Sequence, residues 1–106
     1  MYKVIISPSA NTDLFNVLKY ITYELENPLA ATKLADGVAA CYDALAEFPA
    51  AHELCRDQVL ARMGYRRYPV GNYLVIFRIV EKTQEVRVVH IFHATQDYLS
   101  ALRNER

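Results

Sequence analysis

At 106 residues the chain is long enough to bury one hydrophobic core and short for two, so a single domain over residues 1–106 is expected. Hydrophobic residues make up 53% and charged residues 23%, the balance of an ordinary folded domain. No apolar run approaches the roughly 20 residues needed to span a bilayer. The opening MYKVIISPSANTD lacks the basic and apolar regions of a secretory signal. No membrane association and a cytoplasmic location are therefore expected. The formal net charge of zero conceals an asymmetry: residues 1–53 hold three lysines against seven acids, whereas residues 54–106 hold eight arginines and Lys82 against five acids. A basic half hints at an anionic partner, and arginine suits bidentate contacts to phosphate or carboxylate. Acidic helices that simply cover a basic sheet would give the same asymmetry.

In chain order, Tyr2 to Ile6 is short and β-branched, a strand. Ser7-Pro8 supplies an N-cap and a first-turn proline. Leu14, Val17, Leu18, Ile21 and Leu25 then recur on one helical face. Asn27-Pro28 restarts a helix whose face is Leu34, Val38, Cys41, Leu45 and Phe48, and Pro49 stops it. Two helices with a short connection predict an antiparallel hairpin. Residues 49–63 follow no period and read as a loop with at most a short helical turn. Three strands follow, at about 64–70, 73–81 and 85–93. Gly71-Asn72 is a hairpin signal between the first two, and EKTQE is a polar turn between the last two. Thr95 caps a short final helix to Asn104. The order β-α-α-β-β-β predicts an α+β fold, with the helical hairpin packed on one face of a mainly antiparallel sheet.

Strand alternation places Tyr73, Val75, Phe77 and Ile79 on one side and Leu74, Ile76, Arg78 and Val80 on the other. It separates Arg87, Val89, Ile91 and His93 from Val86, Val88, His90 and Phe92, and Tyr65, Arg67 and Pro69 from Arg66, Tyr68 and Val70. Both faces are largely apolar, so more of the sheet is covered than two layers require, by a partner segment on its face or edge. Cys41 and Cys55 have no zinc or redox spacing and read as reduced thiols, although chain position leaves a bridge open. No metal-site spacing, phosphate loop or nucleophile elbow occurs, so no metal or cofactor is expected. His90 and His93, three apart on one strand, point to opposite faces. His52, in the irregular loop, reads as a solvated residue. Tyrosine beside arginine, as in YRRY, serves single-stranded nucleic acid and protein interfaces alike.

The words YRRYPVGNYLVIFRI and VVHIFHATQDYL, with ISPSANTDLFNVLKYI as a first helix and LAEFP as the end of a second, resemble the RelE/ParE superfamily of type II toxin–antitoxin toxins. The resemblance covers nearly the whole chain. It implies a small toxin, neutralised by a cognate antitoxin that wraps an extended or helical segment around it. One branch of the superfamily cleaves mRNA in the ribosomal A site; the other poisons DNA gyrase without cleavage. Cleavage by the ribose 2′-hydroxyl needs a base, cations for the phosphorane and an acid for the leaving oxygen.

Carried over position by position, the nuclease pattern places Arg67 near a basic residue of the nuclease strand. Tyr65 and Leu74 stand where cations are usual, as does Thr95 or Gln96. His93 and Tyr98 remain as proton carriers. As a nuclease the chain would use Arg67, His93 and Tyr98 for catalysis; Arg62, Arg66, Arg78 and Arg87 are candidates for contacts to nucleic acid or another target. The expectation is a growth-inhibiting toxin acting on translating mRNA or on DNA gyrase, the alternative being a non-enzymatic or inactivated toxin-like binding module.

Overall fold

The computed structural model describes residues 1–97 and 102. Strand β1 (Lys3–Ile6) leads into helix α1 (Pro8–Lys19), which a π-helical turn extends over Tyr20–Glu24; helix α2 is Pro28–Glu47. The caps are those expected. The Ser7 hydroxyl accepts from the Ala10 N–H and the Asn27 side chain from the Ala30 N–H, each ahead of a proline that needs no intrahelical partner. A 3₁₀ turn at Pro49–Ala51 and a short helix α3 (Gln58–Arg62), capped by Asp57, occupy the aperiodic region. Strands β2 (Tyr65–Val70), β3 (Tyr73–Val80) and β4 (Glu85–His93) complete one four-stranded sheet in the order β1-β4-β3-β2. β1 runs parallel to β4 and the other pairs are antiparallel. The fold is α+β, as expected.

Leu34, Val38, Cys41 and Leu45 of α2 are buried with Val75, Phe77, Val86, Val88 and Ile91 of the sheet. Leu14, Val17 and Leu18 of α1 pack against the same cluster. Two residues of the expected helix faces are instead exposed, Leu25 at 55% and Phe48 at 68%. The Leu25 N–H bonds to the Tyr20 carbonyl five residues back, and this wider turn puts Leu25 out of α-helical phase. Phe48 has left α2: its φ of −134° is extended as the chain turns into Pro49. At Gly37 a Cβ would lie 2.6 Å from Val70 Cγ1, so this glycine lets α2 approach β2. Gly71 has φ 57°, the left-handed conformation that the two-residue turn between Val70 and Tyr73 requires.

The opposite sheet face carries a second cluster, in which Leu74, Ile76 and Phe92 meet Cys55 and Leu60, with Tyr65, Val89 and Leu102 around them. The chain's own residues 54–60 therefore supply cover that alternation left to a partner. Segment 53–55 also lines the outer edge of β2: the Cys55 N–H bonds to the Tyr65 carbonyl, and the Arg67 N–H to the Glu53 carbonyl.

Strict alternation holds along β2 and β3 but breaks in β4. Ile76 pairs with His90 and Phe77 with Val88, leaving Val89 as a bulge. The bulge turns both Val88 and Ile91 toward the helices and puts Val89 in the second cluster instead of beside Ile91. β1 ends opposite Val88, and α1 satisfies the edge that β4 then exposes. The Ser7 N–H and hydroxyl bond to the carbonyls of Val88 and Val89, and the Asp13 carboxylate accepts the Ile91 N–H at 2.9 Å. Thr95 does not cap a helix, because Ala94–Thr95 form a turn, Gln96 a bend and Asp97 is irregular; the rest of the expected 95–104 helix, Leu102 apart, lies outside the described residues. Among the described residues no helix is long and apolar enough to cross a membrane.

Candidate functional site

The structure does not bring together Arg67 and His93, the two expected catalytic residues among those described. Arg67 stands on β2 opposite Ile76, on the face away from the helices. Its side chain is only 14% exposed, and its Nε lies 3.5 Å from Glu53 Oε1. Nearby Cys55 is pushed up to about 11 by burial, against the lowering effect of the Arg67 charge. His93 ends β4 opposite Tyr73, and its ring meets the Tyr73 ring edge-on at 5.2 Å between centroids, on the helix side. His93 Nδ1 accepts from the Thr95 N–H at 3.2 Å and lies 2.7 Å from the Thr95 hydroxyl oxygen. In the neutral ring the proton therefore sits on Nε2, making that nitrogen a donor. The register separates Arg67 from His93 by two strand spacings and three residues, roughly 14 Å, with the side chains on opposite faces. Tyr98 lies outside the described residues.

The other arginines have varied surroundings. Arg66 points to the helix side and donates from Nη1 to the His52 carbonyl at 2.7 Å, tying the loop to β2. His52 is half-buried, not solvated: its ring lies against Tyr68 at 4.3 Å between centroids. Arg62 is exposed in the last turn of α3. Arg78 and Arg87 are direct cross-strand partners on the face away from the helices. Arg78 lies over the Tyr65 ring at 5.6 Å, and Arg87 donates from Nη2 and Nε to Glu85 Oε1 at 2.9 and 3.2 Å.

Sequence reasoning missed two acids. Asp13 Oδ2 lies 2.8 Å from Nδ1 of His90, which stacks on Phe92 at 4.8 Å. Asp13 thus holds α1 to β4 through a side chain and a backbone group together. The only signal was an acid directly before the apolar run of α1. Glu85, the last residue of EKTQE and the first of the expected 85–93 strand, opens β4 between Lys3 and Val80. Arg87 foremost, then Thr83 and Lys3, hold its carboxyl below the usual range.

Cys41 is in the helix-side cluster and Cys55 in the other; both are free, and the sheet between them removes the option of a bridge. Among the described residues no cluster of His, Cys, Asp or Glu could hold a metal ion.

Residues 4–98 match the family described as ParE toxin of type II toxin–antitoxin system, parDE. No curated protein matches by sequence. Among solved structures, the chain superposes on one from the chromosomal ParDE TA system from P. aeruginosa with a TM-score of 0.70 at 17% identity, covering 88% of this chain and 96% of that one. It also superposes on a chain of the toxin–antitoxin complex RelBE2 from Mycobacterium tuberculosis, with a TM-score of 0.61 at 19% identity, over 87% of this chain and 96% of that one. At such identities the structural likeness is one of fold. The family match extends from β1 to the end of the sheet and beyond, and on it the chain belongs to the ParE toxins of type II toxin–antitoxin systems.

Proposed function

We propose that the protein inhibits growth by binding DNA gyrase, without cleaving RNA, and that a cognate antitoxin relieves this inhibition. The observation that carries the reading is the separation of Arg67 from His93 across the sheet. A phosphodiester transition state needs its cation and its proton carriers within a few ångströms of one phosphate. Leu74 points the same way: where the nuclease pattern has a cation, this side chain is 3% exposed and packed into the second cluster. A charge there would be desolvated among Cys55, Leu60 and Phe92. The exposed cations Arg62 and Arg87 and the half-buried Arg78 are then contacts for a partner, not parts of a catalytic centre.

The test is a supercoiling assay with purified gyrase beside a ribosome-dependent mRNA cleavage assay. Inhibition of supercoiling by the wild-type protein is expected, retained in Arg67→Ala/His93→Ala, with no mRNA cut. Cleavage that appears only with ribosomes and disappears in the double variant would replace this reading by the nuclease one. Activity in neither assay would leave a toxin-like binding module.

A further inference from the structure

One corner of the sheet carries more positive charge than the fold uses. Tyr2, Val4 and Ile6 pack toward the helices, so alternation turns Lys3 and Ile5 to the other face. Lys3 pairs with Glu85, Ile5 with Arg87 and Arg87 with Arg78. Three cations on three adjacent strands, Lys3, Arg87 and Arg78, thus surround the single carboxylate of Glu85. Like charges directly opposite one another in an antiparallel ladder are destabilising. Arg78 is offset from within only by the face of Tyr65, and among the described residues neither Arg78 nor Lys3 is in an ion pair. Lys3 and Arg87 are exposed and Arg78 half-buried, so the corner is open to a partner.

We propose that Lys3, Arg78 and Arg87 form a docking corner for an acidic segment of the cognate antitoxin, with Glu85 as the internal carboxylate that this segment supplements or displaces. The inference rests on the antitoxin partnership proposed above and adds where that partner's charge is read. Two features favour a carboxylate over a nucleic-acid phosphate. The Arg87 guanidinium already holds one carboxylate, that of Glu85 on the same face, so an incoming Asp or Glu repeats a contact the site makes. The Tyr65 ring, which stacking on a base would need, is covered by Arg78 and packed against the second cluster.

The experiment is isothermal titration of the full chain with its purified cognate antitoxin at low and high salt, with a single-stranded DNA 20-mer as a second probe. Arg78→Gln/Arg87→Gln should weaken antitoxin binding by about tenfold at low salt and flatten its salt dependence. Arg87→Gln alone, at an exposed position, should give a smaller loss with the fold intact. Glu85→Gln should tighten binding by about threefold, a gain that structural damage does not produce. Unchanged affinity in all three variants would overturn the docking corner while leaving the antitoxin partnership standing. DNA binding that depends on Arg78 and Arg87, with antitoxin binding indifferent to them, would overturn it in favour of a nucleic-acid surface. No binding of the wild-type protein to the antitoxin would overturn both.

Discussion

On the helix side of the sheet, Val75, Phe77, Val86, Val88 and Ile91 meet two long amphipathic helices; on the other side, Leu74, Ile76 and Phe92 meet Cys55 and Leu60, held by a 3₁₀ turn, a bridge and a five-residue helix. Both faces exclude water from apolar side chains. The first does so with regular elements that bring a continuous apolar stripe, the second with a short aperiodic segment that covers only part of the face. The uncovered remainder is where Arg78, Arg87 and Lys3 sit. Partial cover thus divides one face into two parts: a small second core beside β2, and a charged corner toward β1.

The difference is open to measurement, beginning with the largest effect. Phe77→Ala removes a fully buried ring from the helix-side core and should lower unfolding free energy by about 3–5 kcal/mol in urea titrations. Leu60→Ala on the other face should cost about 2–3 kcal/mol, because a short helix at the rim can settle into the space left behind. Equal losses would mean that the two faces are equally rigid cores.

Gly37→Ala tests the closeness of α2 to β2. A methyl group 2.6 Å from Val70 Cγ1 should cost about 1–3 kcal/mol, and the Gly37→Ala/Val70→Ala double variant should cost less than the sum of the two single changes. Additive losses would show that the contact has relaxed.

A pH-dependent contrast concerns the thiols, one under each face. Burial pushes Cys41 up to about 12, and Cys55, beside Arg67, up to about 11. An unfolded thiol titrates near about 8.5, so the folded chain holds these protons at a pH where the unfolded chain has released them. Their contribution to stability is complete below about pH 8.5 and is lost as pH rises through 11 and 12. The urea midpoint should fall across this window, and Cys41→Ala/Cys55→Ala should flatten the fall. Under native conditions iodoacetamide should label Cys55 before Cys41, since the cover over Cys55 is the shorter and more local one. The reverse order would place the less stable cover on the helix side.

Much of this was legible in the sequence because it is local. Ser7-Pro8 and Asn27-Pro28 determine where two helices start, since the capping oxygen and the fixed proline φ act within one turn. Leu34, Val38, Cys41 and Leu45 determine a buried stripe, and Gly71-Asn72 a tight hairpin, because each depends only on chain periodicity and backbone conformation. Alternation put Arg67 on one side with Tyr65 and Pro69, and Arg78 on one side with Leu74 and Ile76, while packing decided that these sides face away from the helices; the family resemblance marked Leu74 as a departure from the nuclease pattern.

What only the tertiary structure decided depends on contacts between distant segments. The Val89 bulge arises where β1 ends and α1 takes over the exposed edge through Ser7 and Asp13, 76 or more residues away in the chain. The sheet register sets Arg67 and His93 on opposite faces, so residues that a motif lists together do not meet. Parallel pairing of β1 with β4 brings Lys3 beside Glu85 and Arg87: sequence places a charge on a strand, but the pairing of strands decides which charges share a face.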